Sequence, residues 1–436
     1  MNFYLTLMEH PYLESKQRTM KQKSRSKIIG AFLGTIVEYY DYSLYGFSAS
    51  IIAFKFFPHS DRITGLINVF AVYAIAYLSK PIGSLIFGYI GDHYGRKVAL
   101  STTIIGIVVP TLFIGLLPEY SIIGSWGSFI LVICRFMQGI FIAGEYDGAA
   151  IYVIEHLGDK FQCTASSITR CTGVIGLLLG IGATNFFNAH IFPDWGWRIP
   201  FLLSLPFALI ALYYRQKFDE TPDFNDSKEE ALKVKGISIL IKEQWSTIIL
   251  VIFLAGGFGA TYQISIIFMK QYLPIVLPQT TFIISTFSVL LVVCFGISMP
   301  ISGLIADRTN PIKVIQFSLF GTIIACLLLS IAIRYKMINL SLLACLMLAT
   351  FVAPFNALAH GIIIKAFPIR MRYRGISLGH TIGSMLMSGP ANYICLVFMQ
   401  LLDFNLFPIL YVVFFATLAY FMLVYLKNLI ARKSNI

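Results

Sequence analysis

Charge is scarce in this sequence. Asp, Glu, Lys and Arg make up 12% of the 436 residues, against roughly 25% in an ordinary soluble domain. A water-soluble globular protein is excluded on that ground. Acid is scarcer still, with 21 Asp and Glu facing 33 Lys and Arg. Cysteine is limited to seven residues, an odd set with no C-x-x-C spacing, so neither a disulfide framework nor a zinc site is indicated. Most of the seven fall within apolar runs and read as small core residues. Residues 1–27 are polar and basic and lack the apolar stretch of a signal peptide. There is no metal-ligand spacing and no nucleophile–base constellation. Glycines 173, 176, 180 and 182 follow no strand and lie in an apolar run, so they read as a packing face rather than a nucleotide loop. An enzyme, a cofactor and a metal are therefore not expected.

What is abundant is apolar sequence. Hydrophobic residues reach 57%, and the mean hydropathy is +0.77. The apolar residues form long runs of ~18–28 residues, enough to cross ~30 Å of hydrocarbon at 1.5 Å per residue. Twelve spans are predicted, at 28–54, 64–90, 98–117, 126–154, 163–189 and 199–214, then 246–269, 279–304, 314–333, 339–364, 375–400 and 405–426. The expected architecture is all-α: a tail over 1–27, a six-helix bundle over 28–214, a polar linker over 215–245, a second six-helix bundle over 246–426, and a short tail over 427–436.

The net charge of +12 is explained by loops rather than by nucleic acid. In alternate loops Lys and Arg number 24 on the side of the termini and linker, against six on the other, where Lys55, Arg62, Arg198, Lys270, Arg334 and Lys336 are placed. The positive-inside rule then puts both termini and the linker in the cytoplasm. Lys80, Arg135 and Arg170 remain inside spans.

The two halves share a signature. Gly88-Tyr-Ile-Gly-Asp92-His-Tyr-Gly95-Arg96-Lys97 joins spans 2 and 3, and Gly303-Leu-Ile-Ala-Asp307-Arg308 holds the same place between spans 8 and 9. In both, a small residue that lets helices approach stands four before an Asp that can bridge to neighbouring helix ends. Repeated halves are one way in which secondary transporters build two bundles that rock about a central site.

With these motifs the chain resembles the major facilitator superfamily, and within it the metabolite:proton symporters. The loop from Gly88 to Lys97 fits the superfamily's G-x-x-x-D-x-x-G-R-[KR] motif, and Arg135-Phe-Met-Gln138-Gly139 fits its R-x-x-Q-G motif. The narrower resemblance rests on Gly34-Thr-Ile-Val-Glu38-Tyr-Tyr-Asp41-Tyr, Lys80-Pro81-Ile-Gly83, Gly144-Glu145-Tyr146 and Trp195-Gly-Trp-Arg198-Ile-Pro200-Phe. It continues with Glu220-Thr-Pro222 and Phe367-Pro-Ile-Arg370-Met-Arg372-Tyr373-Arg-Gly375. It covers about residues 28–426 and is nearest the proline/glycine-betaine branch. It implies uptake of a small polar metabolite driven by protons, with the lipid bilayer as the surroundings, no nucleic acid and no obligate protein partner. In a bacterium the site would be the inner membrane. The chain departs from the family pattern at Lys80, where Arg is usual, at Asp147, where Gly is usual, at Arg170, and at Lys270, where Pro is common.

Ionisable residues inside spans are the candidates for chemistry. Glu38 and Asp41 stand three apart in span 1, with Tyr42 and Tyr45 extending their stripe. Glu38 falls ~15 Å into the span, near the midplane. The carboxyls could exchange a proton and the tyrosines could hold a cationic head group; a structural lock between helices is the alternative. Lys80 could pair with Glu38 or Asp41. In span 4, Arg135 carries the superfamily motif, while Glu145 and Asp147 point ~200° apart. Asp147 and Arg170 are both placed ~12 Å deep on adjacent antiparallel spans, which suggests a pair. Gln263, Asn356, His360, His380 and Asn392 are weaker candidates in the second half, and His360 is the expected pH-sensitive group. The basic residues of the signature loops read as gate structure. A symporter for a zwitterion, one for a dicarboxylate or oxoacid, and an uncoupled facilitator or efflux carrier all remain open.

Overall fold

The computed structural model describes residues 32–434 apart from 59–60, 95, 158–161, 190, 217–236, 364–366 and 368–371. Within its helices, the side chains of 91–93, 96, 145–157, 237–241, 360, 372–373 and 428–434 lie outside the description. The described backbone contains helix and turn and no strand. That follows from the solvent: hydrocarbon offers no hydrogen bonds, so a spanning segment satisfies its own backbone as a helix.

Span 1 is helical over 32–47 and again over Ala49–Phe56, with an interruption at Ser48. Span 2 runs Arg62–Leu78 and Lys80–His93. Span 3 is Arg96–Leu116, span 4 Ser125–Leu157 and span 5 Gln162–Phe187. Span 6 is built from Gly196–Arg198, Ile199–Leu202 and Ser204–Gln216. Span 7 continues from Ile237–Tyr262 through a π-helical turn at Gln263–Phe268 into Met269–Val276. Spans 8, 9 and 10 are Ile284–Arg308, Pro311–Arg334 and Ile338–Ile363. Span 11 is Arg372–Gly383, a π-helical turn at Ser384–Ser388, and Ala391–Leu401, and span 12 is Phe407–Ser434. All but the interrupted span 1 contain a helical run long and apolar enough to cross a membrane.

Two of the sequence expectations are corrected here. Lys270 is not in a loop: span 7 runs on to Val276 and carries Lys270 within it. Arg215 is not in the linker either. It closes the helix Ser204–Gln216, is buried, and donates from Nη1 to the Leu100 carbonyl. In both cases a basic residue was read as a loop marker, although its long side chain reached a backbone carbonyl.

The halves meet through spans 5 and 8, which pack along their length, and through spans 2 and 11. The second span of each half thus pairs with the fifth of the other, as a two-fold relation between halves requires. Within the first half, spans 2 and 4 approach at two glycines. A Cβ on Gly83 would meet the Ile140 backbone, and one on Gly139 would meet the Ala76 backbone and the Ser79 hydroxyl. Ser79 sits at the break in span 2 and donates to the Phe136 carbonyl, 2.7 Å away. Pro81 explains the break, since its ring removes an N–H and clashes one turn back. The Trp195–Phe201 run closes the far end of this half. Arg198 donates to the carbonyls of Gly115 and Leu117 at the end of span 3 (3.0 and 2.6 Å), and the Tyr40 hydroxyl donates to the Pro200 carbonyl at 2.6 Å.

The contact between spans 2 and 4 is directly testable. Gly139→Leu should destabilise the purified protein by at least the ~1–3 kcal/mol typical of overpacking, read as a lower midpoint of thermal unfolding. Gly88→Leu, at a site with no described atom within 4 Å, should leave the midpoint in place. Equal midpoints for the two variants would contradict the packing described.

Candidate functional site

Between the halves lies a cavity of about 70 Å³, against the ~10–15 Å³ that one water requires. That is the scale of a small metabolite. The first half supplies all of its charge, from Glu38 on span 1, Lys80 on span 2 and Arg170 on span 5. The second half supplies neutral polar groups, Asn356, His380, Ser384 and Ser388, and the rings of Phe258, Tyr262 and Phe295. Lys80 is the first residue after the break in span 2, and this places its ammonium 4.0 Å over the Tyr77 ring and 5.7 Å from that of Tyr42. Arg170 donates to the Tyr39 hydroxyl at 3.1 Å and lies within electrostatic reach of Glu38.

Glu38 and Asp41 part company. Glu38 lines the cavity, whereas Asp41 does not and is 1% exposed. Three residues along a helix is a turn of ~300°, so neighbours on a stripe still diverge by ~60°. That divergence carries Asp41 towards span 3, where its carboxyl faces Thr111. The Thr111 hydroxyl lies against that carboxyl and also reaches the Ile107 carbonyl at 2.9 Å. Thr111 Oγ1 accepts from Gln138 Nε2 at 2.6 Å, and Gln138 Oε1 accepts from Arg135 Nη1 at 2.9 Å. The glutamine and arginine of the R-x-x-Q-G motif therefore end a polar row that begins at Asp41. The Arg135 guanidinium lies 4.5 Å from the Tyr45 ring and 4.9 Å from the Tyr73 ring. Arg135 and Tyr45 are thus held beside the cavity rather than in its wall.

Above the cavity, Gln263 gathers three hydroxyls from the other half. Its Nε2 donates to Tyr42 and Tyr77, and its Oε1 accepts from the Tyr73 hydroxyl at 3.5 Å. It belongs to the π-helical turn of span 7, and π-helical turns recur at functional sites. The sequence marked Gln263 only weakly. It did carry a signal that went unread, namely Tyr73 and Tyr77 four apart on one face of span 2.

At the end of the cavity nearer the chain termini, Asp307 closes on span 5. Its two carboxylate oxygens accept from the amides of Cys163 (3.0 Å) and Thr164 (2.8 Å). A carboxylate on the first amides of a helix meets both free donors and the positive end of the dipole. Ser166 Oγ donates to the Ala357 carbonyl of span 10 at 2.7 Å nearby. Gly303 permits the approach, since a Cβ there would meet Ser167; Gly88, its counterpart, has no described atom within 4 Å. Arg308 is exposed, and Lys97 donates to the Gln216 carbonyl at 2.8 Å, tying span 3 to span 6. Asp92, Gly95, Arg96, Glu145, Asp147 and His360 fall outside the described side chains, and so does the suggested partnership of Asp147 with Arg170. Asn392 is fully buried, and neither end of its amide finds a partner among the described residues.

Comparison with known proteins follows the same outline. The profile of the Major Facilitator Superfamily matches residues 31–391. The proline/betaine transporter of Escherichia coli (strain K12) is 30% identical over 386 residues, covering 84% of this chain and 76% of that protein. The glycine betaine/proline/ectoine/pipecolic acid transporter OusA of Dickeya dadantii (strain 3937) is 32% identical over 386 residues, covering 84% and 75%. Among solved structures, the proton:xylose symporter XylE bound to 6-bromo-6-deoxy-D-glucose superposes with a TM-score of 0.74 at 15% identity, over 94% of this chain and 96% of that one. The inward open XylE from E. coli gives 0.69 at 15% identity, over 92% and 94%. At that identity the likeness is one of fold. A profile match over most of the chain, relatives of this similarity and a common helical architecture agree: the chain is a multi-pass membrane transporter belonging to the Major Facilitator Superfamily.

Proposed function

We propose that this chain accumulates a small zwitterionic metabolite, of the proline or betaine kind, by proton-coupled alternating access. The observation that carries this reading is the composition of the central cavity: one carboxyl and two cations on one wall, rings and neutral polar groups on the other. The guanidinium of Arg170 and the ammonium of Lys80 suit a carboxylate. The rings of Phe258, Tyr262 and Phe295 suit a cationic head group. The names of the relatives, which are transporters of proline and betaines, support the same substrate class. The two cations on one wall support a second reading, a dicarboxylate substrate.

Proton coupling is assigned to the acids of span 1. Glu38 is open to the cavity, so a proton bound there changes the charge that a substrate meets. With Glu38 ionised the wall carries one net positive charge, and with it protonated the wall carries two. Substrate carboxylate and proton then favour each other's binding. Asp41, buried against Thr111, is costly as a lone anion and is placed to share the load through Thr111, Gln138 and Arg135. The chain termini and linker are assigned to the cytoplasm. Moving Lys270, Arg215 and Lys242, which belongs to the helix of span 7, out of the loops leaves 22 against five, so the positive-inside bias stands. In a bacterium the location is the inner membrane. Asp307 is assigned the cytoplasmic gate, with Asp92 as its counterpart in the first half.

Thermal-shift binding to the purified protein tests the substrate class. Proline or glycine betaine should raise the unfolding midpoint, and Arg170→Gln should weaken that binding by about tenfold or more, as loss of a hydrogen bond to a charged group does. A shift with dicarboxylates and none with zwitterions would favour the second reading. In cells, Glu38→Gln and Asp41→Asn should each abolish accumulation while leaving folded protein in the membrane. Normal accumulation by both would remove span 1 from the proton path. For the gate, Asp307→Asn should raise the rate at which a thiol reagent modifies Cys163, whose amide it caps, by several-fold; an unchanged rate would contradict the assignment.

A further inference from the structure

The end of the cavity away from the termini is held by a different device. Lys270, on the outer helix of span 7, places Nζ 2.8 Å from Asn185 Oδ1 on span 5 and 3.2 Å from the carbonyl of Phe47 on span 1. Its neighbour Gln271 donates from Nε2 to the carbonyl of Gly46 at 3.0 Å. Asn185 Nδ2 in turn donates to the Ser285 carbonyl at the start of span 8, 2.9 Å away. Every one of these bonds joins the first half to the second. No described acid pairs with Lys270.

The position of the two carbonyls explains why a cation sits there. Span 1 is interrupted at Ser48, so Gly46 and Phe47 end its first helix, over 32–47. The last carbonyls of a helix lack partners within it and carry the negative end of its dipole. An ammonium and an amide are the groups such an end accepts. Gly46 also sets the distance between the helices, because a Cβ there would stand 2.9 Å from Ile267 Cγ2 on span 7.

We infer that Lys270 is a positioning residue of the transport cycle, a latch that closes the seam between spans 1, 5 and 7 by capping the helix end made by the break in span 1. The latch opens each time the carrier faces that side. It mirrors the other end of the cavity, where Asp307 caps the start of span 5. One seam is closed by an anion on a helix N-terminus and the other by a cation on a helix C-terminus. Neither the identity of the substrate nor the orientation in the membrane enters the inference.

The test uses purified full-length protein in detergent with a cysteine at position 267 as reporter of this seam and native Cys163 as reporter of the opposite one, each as the sole cysteine. Lys270→Met should raise the modification rate at 267 by about tenfold, the loss expected when a hydrogen-bonded charge is removed, without raising it at Cys163. Lys270→Arg, which keeps charge and donors, should restore a rate near that of the parent. An unchanged rate at 267 in Lys270→Met overturns the inference, and so does an equal rise at both reporters, which would mean general loosening. Failure of Lys270→Arg to restore the rate, with Lys270→Met raised, overturns the capping role as well.

Discussion

A charge in hydrocarbon has to find a counter-charge, a hydrogen bond or water, and this constraint organises the centre of the carrier. Glu38, Lys80, Arg170 and Lys270 stand where the halves meet, Arg215 closes a helix, and Asp41 and Arg135 are enclosed within the first half. Glu38, Lys80 and Arg170 share a cavity wall. Arg135 lies against two tyrosine rings and a glutamine. Lys270 and Arg215 rest on backbone carbonyls. The apolar exterior, with rings such as Phe54, Phe113 and Phe317 exposed to the surroundings, is what a lipid-facing surface requires. Function then occupies the places where charge is tolerated.

The same constraint accounts for the irregular helices. Span 1 is interrupted at Ser48, span 2 at Ser79, and spans 7 and 11 carry π-helical turns at Gln263–Phe268 and Ser384–Ser388. Each irregularity lies beside the cavity or the seam between halves. Interrupting a helix frees backbone groups or rotates side chains, and both are tolerated in a membrane only where other protein groups answer them. Ser79 turns Lys80 onto Tyr77, the turn in span 7 brings Gln263 to three tyrosines, and the break in span 1 supplies the carbonyls met by Lys270 and Gln271.

The sequence made the architecture readable because hydropathy reports directly on lipid contact. Eleven of the twelve predicted spans coincide with helices long and apolar enough to cross a membrane, and Gln138 and Gly139 of the R-x-x-Q-G motif meet spans 3 and 2. Three things were not readable. Lys270 was assigned to a loop because a lysine usually marks one, and nothing local announces a carbonyl acceptor 223 residues away. Asp41 shares a stripe with Glu38 in the sequence, although the ~60° between them is enough to place them in different surroundings. The ring lining of the cavity comes from spans 1, 2, 7 and 8, and only packing brings those rings together.

The central claim is that a proton taken up by span 1 and a substrate carboxylate held by Lys80 and Arg170 enter the carrier together. The direct measurement is proton movement in proteoliposomes containing the purified protein, with a pH dye inside and the membrane potential clamped at zero. Adding proline or betaine outside should acidify the interior in the parent protein, and the signal should vanish in Glu38→Gln while detectable binding of the substrate persists. Substrate entry with no change in internal pH, or the same acidification in Glu38→Gln, would contradict the account.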